Sequence, residues 1–181
     1  MLSTYLWLTI ASLVIFLAYN IWIICKYGVP PTLSDTFYLL QETKNGLGYL
    51  FTAMMFTISM LLIPGWLEVS EVISSWSKYL LILPFITIGG LCFVGAAPLF
   101  RSSGAEPVVH ETAAKIAAVA ALIWCLVVCW KIMYIPLAVM AVVALIATFT
   151  KTWKSGFVYW SEMLCFYPTF ATVIAEEIIN L

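Results

Sequence analysis

Apolar residues dominate six long stretches of the 181-residue chain, and polar residues gather in short segments between them. A helix that crosses the hydrocarbon core of a bilayer needs about 20 largely apolar residues. The pattern therefore predicts an all-α, polytopic bundle of six transmembrane helices, forming a single transmembrane domain over residues 1–181. The predicted helices cover about 2–24, 47–64, 78–99, 107–130, 132–149 and 156–174.

A polar connection after the first stretch predicts one further, shorter element. Pro30 and Pro31 cannot continue a helix, because proline lacks an amide hydrogen and restricts the residue before it. Thr32 or Ser34 can then cap a new helix. We expect that short helix over residues 36–43, lying at the membrane interface.

Composition agrees with a membrane location and excludes several classes of function. The chain is 64 % hydrophobic and 9 % charged, whereas about a quarter of the residues in a soluble domain are charged. A net charge of −1 provides no basic surface for nucleic acid. The five cysteines form no CxxC motif, and one histidine supplies too few ligands for zinc. We therefore expect no nucleic-acid partner, no metal and no cofactor.

The basic residues are distributed unevenly between the two ends of the predicted bundle. The loops after helices one, three and five, with the helix ends beside them, hold Lys26, Lys44, Arg101, Lys115, Lys151 and Lys154. The opposite end holds Lys78 and Lys131. Because basic residues accumulate on the cytoplasmic side, the odd-numbered loops are predicted to be cytoplasmic and both termini to lie outside.

Ionisable side chains within or beside the spans need a partner or a purpose, since their burial in lipid is costly. Four stand out, and topology places all of them at the end formed by the odd-numbered loops: Asp35, Arg101, His110 and Glu162. They predict one pocket for a polar or anionic head group, with Ser34 and Glu106 in support. Glu106 precedes His110 by four residues, which allows the two side chains to pair.

Each of these residues also has a purely structural interpretation. Asp35 can cap the short helix and Arg101 can anchor the chain at the interface. His110 and Glu162 can each hold neighbouring segments together by a hydrogen bond. A row of alanines follows His110 on its helix face and favours close helix packing, so the histidine should point toward protein. We call this row the alanine stripe: Ala113, Ala114, Ala117 and Ala121.

Two short motifs resemble a known membrane family. Pro31-Thr32-Leu33-Ser34-Asp35-Thr36 is similar to the Pro-x-x-Ser-Asp motif of DRAM/Sfk-type six-helix proteins and their bacterial relatives, and His110-Glu111-Thr112-Ala113-Ala114 is similar to their fourth-helix start. The chain departs from that pattern at Phe37, where glycine is common, and at Arg101, where an acidic residue is expected. The resemblance implies a six-helix membrane modulator with a lipid-linked role and assigns no reaction.

The sequence leaves several classes of function open. The first is a non-enzymatic modulator that binds membrane lipid or a small ligand, or that partners another membrane protein or a second copy of itself. A subunit of a larger membrane complex is the second class. The third is a membrane-embedded hydrolase acting on a lipid head group, in which Asp35, His110 and Glu162 would supply acid and base. No GxSxG, HExxH or P-loop motif supports the hydrolase.

Overall fold

The computed structural model describes residues 3–72, 77–129 and 156–180, with isolated positions at 135, 138, 142 and 145. Every regular element within these residues is helical. The elements are α1 (Thr4–Tyr27), α2 (Asp35–Gln41), α3 (Tyr49–Val72), α4 (Ser77–Leu80), α5 (Ile82–Ala96), α6 (Ala105–Val128) and α7 (Phe157–Asn180). The predicted fifth span, 132–149, lies outside the described residues apart from the isolated positions.

Three of the described helices, α1, α3 and α6, are long and apolar enough to cross a membrane. Each has 24 residues and is therefore about 36 Å long, against a hydrocarbon thickness of about 30 Å. Helix α5 is also apolar but has 15 residues. Within the described residues the chain is thus an all-helical membrane protein.

The boundaries of α1 follow from capping at both ends. The hydroxyl of Ser3 accepts a hydrogen bond from the backbone N–H of Leu6 at 3.0 Å, which satisfies one of the free amides of the first turn. At the other end Gly28 adopts φ 79° and donates its N–H to the carbonyl of Ile24. The helix therefore continues for three residues beyond position 24, its predicted end.

Helix α3 passes through Pro64, where the sequence pattern predicts its end. The proline ring removes the hydrogen bond to the carbonyl four residues earlier, but the apolar spacing continues on the same helix face. Leu62, Trp66 and Val69 are all buried, so their packing holds the helix together across the proline. As a result the two acidic residues predicted in a loop, Glu68 and Glu71, are helical.

The predicted third helix, 78–99, is two helices with a break at Leu81. Pro84 explains the break, because its ring conflicts with the carbonyl of Leu80 four residues earlier. The same proline is accommodated in the first turn of α5, where its missing amide hydrogen has no helical partner to lose.

Polar side chains join the helices inside the bundle, as is usual where lipid supplies no hydrogen bonds. The Ser12 hydroxyl of α1 donates to a carbonyl of α3 at 2.8 Å. The Thr52 hydroxyl of α3 donates to a carbonyl of α5 at 2.9 Å. Helix α7 packs against α1, α3 and α6, and the Tyr159 hydroxyl ties it to Asn20 of α1 at 2.6 Å.

Candidate functional site

Three consecutive residues, Leu33, Ser34 and Asp35, form a buried turn at the start of α2, which we call the 33–35 turn. Their exposed fractions are 3 %, 8 % and 5 %. The turn is fixed locally, since the hydroxyl of Thr32 accepts the N–H of Asp35 at 3.1 Å. The carbonyl of Leu33 accepts the N–H of Thr36 at 3.1 Å. These short-range bonds leave the Ser34 and Asp35 side chains available to other helices.

Each residue of the 33–35 turn binds a different candidate residue. The N–H of Leu33 donates to Oε2 of Glu162 at 2.6 Å. Oγ of Ser34 lies 2.8 Å from Nε2 of His110. The carboxylate of Asp35 forms an ion pair with the guanidinium of Arg101. The structure therefore brings the four ionisable candidates to one short segment, although they come from four parts of the chain.

The two ring nitrogens of His110 have different partners, which fixes the proton positions in the neutral ring. Nδ1 lies 2.8 Å from the carbonyl oxygen of Ala97, and a carbonyl can only accept, so Nδ1 carries the hydrogen. Nε2 is then an acceptor, and the Ser34 hydroxyl donates to it. His110 is 4 % exposed, and its ring stacks on Phe100 with 4.8 Å between the centroids.

Glu106 does not take the position expected for it beside His110. Both ring nitrogens of the histidine bind Ala97 and Ser34 instead, and Glu106 is exposed in the first turn of α6. An acidic residue in a first helical turn interacts favourably with the helix dipole wherever it points. The i,i+4 spacing therefore did not determine the partner of the histidine.

Arg101 covers the 33–35 turn from the outside. Its side chain is 54 % exposed, whereas that of Asp35 is 6 % exposed. The backbone N–H of Arg101 donates to the hydroxyl of Tyr38 at 2.8 Å, and the guanidinium carbon lies 4.8 Å from the centre of the Tyr38 ring. The arginine is thus held by its backbone, by an aromatic face and by a buried carboxylate.

A cavity of about 210 Å³ begins beside the 33–35 turn and runs between α3, α5, α6 and α7. Ser34, Ser161 and Glu162 lie in its wall. The apolar residues in the wall are Leu33, Met55, Leu62, Trp66, Leu91, Val94, Ala114, Ala117, Ala118, Ala121, Val158, Phe166 and Phe170. The cavity therefore combines a long apolar wall with a few polar groups, three of which come from the 33–35 turn and the start of α7.

Small side chains of α6 account for the space. Ala114, Ala117 and Ala121 of the alanine stripe line the cavity, as does Ala118. Trp66 marks the far end, where it meets Trp124 edge to face with 5.3 Å between the ring centres. Trp124 follows His110 by fourteen residues, which is about 21 Å along a helix.

Several contributors to the site are absent from the sequence-based prediction. Tyr38 and Phe100 supply ring surfaces to Arg101 and His110, and their positions beside the predicted polar residues were the available signal. The carbonyl of Ala97 and the N–H of Leu33 gave no signal in the sequence, because every non-proline residue has the same backbone groups.

Within the described part of the chain, no group of three His, Cys, Asp or Glu side chains is placed to hold a metal ion. No family model, curated protein or solved structure matches the chain. The arrangement itself can do two things chemically. It can hold an apolar chain beside a polar group, and it presents a serine hydroxyl to a histidine base.

Proposed function

We propose that this chain binds one membrane lipid or small amphiphile between its helices and acts as a non-enzymatic membrane modulator. The observation that carries the proposal is the cavity of about 210 Å³ with an apolar wall and the polar residues Ser34, Ser161 and Glu162 near the 33–35 turn. Small-molecule sites in proteins are typically concave and apolar, with a few polar groups that orient the ligand.

The position of the cavity supports a lipid rather than a water-soluble ligand. Its wall is formed by α3 and α6, both of which can cross a membrane, and by α5 and α7. Arg101 and the 33–35 turn lie where a helix leaves the predicted span, at the level expected for a head group. An apolar chain would lie along the alanines of α6, with its polar group beside Glu162 and Ser34.

The proposal includes a topology of six spans with the odd-numbered loops in the cytoplasm. Helix α7 has 24 residues and is about 36 Å long, which supports a further span despite its glutamates. We also propose a resemblance to DRAM/Sfk-type proteins, on the basis of the segments 31–36 and 110–114. Cysteine scanning tests the orientation: in a cysteine-free background, Ser103→Cys should resist an impermeant thiol reagent in intact cells and react after lysis.

A cavity-filling substitution tests binding directly. Ala118→Leu adds bulk to a residue of the cavity wall, whereas Ala171→Leu makes the same change at an exposed position of α7. The purified variants, in lipid nanodiscs, are titrated with a dansyl-labelled alkyl probe. We expect Ala118→Leu to weaken probe binding at least tenfold and Ala171→Leu to leave it unchanged. Equal binding by both variants would show that the cavity is not the site.

One observation favours a second candidate function, a membrane-embedded hydrolase acting on a lipid. The Ser34 hydroxyl donates to Nε2 of His110 at 2.8 Å, which is the relationship that activates a serine nucleophile. Ser34 also lines the cavity, so an ester in the cavity would lie beside it. A long-chain fluorophosphonate should label Ser34 if this function holds, and Ser34→Ala should abolish the label. If the wild-type protein is not labelled but still binds the dansyl probe, the hydrolase is excluded and ligand binding remains as the proposed function.

A further inference from the structure

The hydroxyl groups in the cavity wall have already committed their protons. The Ser34 hydroxyl donates to Nε2 of His110, because the histidine proton is held on Nδ1 by Ala97. The Ser161 hydroxyl donates to the carbonyl of Phe157 at 3.0 Å. Since a hydroxyl has one proton and two lone pairs, each of these oxygens can offer a ligand only lone pairs.

The same holds for the two threonines in the wall. The Thr87 hydroxyl donates to the carbonyl of Ala117 at 3.4 Å, and the Thr169 hydroxyl donates to the carbonyl of Cys165 at 2.9 Å. Four hydroxyl groups from four places in the chain are therefore acceptors toward the cavity. Oε2 of Glu162 accepts the N–H of Leu33, so this carboxyl oxygen is a further acceptor at the same end of the cavity.

The charged groups at this end of the cavity also favour a ligand that donates hydrogen bonds. Asp35 and Arg101 form an ion pair and cancel. His110 is buried and bound to two uncharged groups, which favours its neutral form. Glu162 forms no ion pair with any cation in the described part of the chain, and its bond to Leu33 is to a neutral amide. Among the described residues, the cavity end therefore holds one carboxyl group that no basic side chain pairs with.

The hydrogen-bond donors in the wall are few, and each of them either lies away from Glu162 or is weak. The indole N–H of Trp66 has no hydrogen-bond partner among the described residues, but it belongs to the end marked by Trp124. The thiol of Cys165 lines the cavity and is a weak donor. Neither can match the several donors that a phosphate or carboxylate head group requires.

We infer that the cavity selects an amphiphile whose polar group donates hydrogen bonds and carries a positive charge, that is, a long-chain amine or amino alcohol. This inference rests on the proposed function and specifies its ligand. An ammonium group beside Glu162 has three N–H donors, which match the carboxylate and the Ser34 and Ser161 oxygens. A fatty acid or a phosphate would instead place a second acidic group beside the Glu162 carboxyl, and two acidic groups at one site disfavour each other's ionised form.

Three amphiphiles of equal chain length test the inference. Hexadecylamine, hexadecanol and palmitate are used to displace the dansyl-labelled alkyl probe from the purified protein in phosphatidylcholine nanodiscs. We expect the amine to compete best, the alcohol next and palmitate least, with at least about tenfold between amine and palmitate, the ratio that 1.4 kcal/mol of ion-pair energy gives. Palmitate competing as well as the amine would overturn the inference.

Glu162→Gln is the matched variant, because its amide oxygen can still accept the Leu33 N–H while its charge is lost. The amine preference over palmitate should fall about tenfold in this variant, and hexadecanol should compete as before. Partitioning into the bilayer is the same for both proteins, so the change in ratio reports the site. An unchanged ratio would overturn the assignment of Glu162 as the counter-charge.

The outcomes also separate this inference from the proposed function. If the three amphiphiles compete equally and Ala118→Leu abolishes all binding, the cavity binds apolar chains without head-group selection. In that case the proposed function holds and the ligand class is wrong. If none of the three displaces the probe, both fail.

Discussion

The Oγ atom of Ser34 and the Nε2 atom of His110 lie 2.8 Å apart and join the start of α2 to α6 across 76 positions of the chain. Because the other ring nitrogen binds Ala97, at the end of α5, one histidine connects three helical segments. This connection holds the 33–35 turn against the cavity, so it determines both the shape of the polar end and which lone pairs the end presents.

Removing the histidine side chain should destabilise the protein. In His110→Ala the buried hydroxyl of Ser34 and the carbonyl of Ala97 both lose their partner, and an unsatisfied buried polar group costs about 1–3 kcal/mol. We expect a loss of that size in the free energy of unfolding, measured by denaturant titration in detergent micelles. Val108→Ala, at a position that is 67 % exposed, is the control and should change little. A His110→Ala protein as stable as the control would show that these bonds are not formed.

The ion pair between Asp35 and Arg101 should be energetically coupled, because one partner is buried. A double-mutant cycle with Asp35→Ala and Arg101→Ala is expected to give a coupling energy of about 1–3 kcal/mol. Glu111 and Lys115 form the comparison pair at 3.0 Å, with both side chains largely exposed. Their cycle should give less than about 0.5 kcal/mol, as surface pairs do. Equal coupling in the two cycles would mean that solvent screens Asp35 as well.

The sequence predicted the membrane class and much of the composition of the site, but not its contacts. Long apolar stretches identify spans because they respond to the thickness of a bilayer. The positions of His110 and Asp35 could be assigned to one end from topology alone. The partners in long-range hydrogen bonds could not be predicted in this way. Leu33 and Glu162, for example, are 129 positions apart, and no local sequence pattern indicates such a pairing.

Helix boundaries were less predictable for a related reason. Pro64 is the last residue of one predicted span and Pro84 lies inside another, yet α3 continues through the first and the chain breaks before the second. Local sequence states only that each proline removes a hydrogen bond. Burial of Trp66 and Val69 holds α3 together, and this packing is known only once the neighbouring helices are in place.

Two adjacent glycines of α5 should respond oppositely to the same substitution. A Cβ atom added at Gly90 would lie 2.8 Å from the carbonyl oxygen of Ala113 and from Cβ of Ala117, whereas one at Gly89 meets nothing within 4 Å. Gly90→Ala should therefore push α5 from α6 and cost about 1–3 kcal/mol, as overpacking does. Gly89→Ala should be neutral or stabilise by about 0.5–1 kcal/mol, because alanine favours a helix interior. Both are measured by denaturant titration, and equal effects would contradict the close approach of the two helices.

Gly65 of α3 should be intolerant of a side chain because of Glu177. The glutamate is 1 % exposed and accepts the hydroxyl of Thr9 at 3.2 Å. A Cβ at Gly65 would overlap both Oγ1 of Thr9 and Oε1 of Glu177, and the overlap with Glu177 is the larger. We expect Gly65→Ala to lower the free energy of unfolding by about 1–3 kcal/mol. The loss should be seen as a lower unfolding temperature.

The double variant Gly65→Ala with Glu177→Ala distinguishes a steric cause from a loss of helix flexibility. Truncating Glu177 removes the nearer obstacle and leaves space into which Thr9 can turn, so the added methyl group is accommodated. The double variant should therefore be more stable than the sum of the two single losses predicts, by about 0.5–3 kcal/mol. Strict additivity would mean that Gly65 and Glu177 do not touch, and that α3 and α7 pack differently at this point.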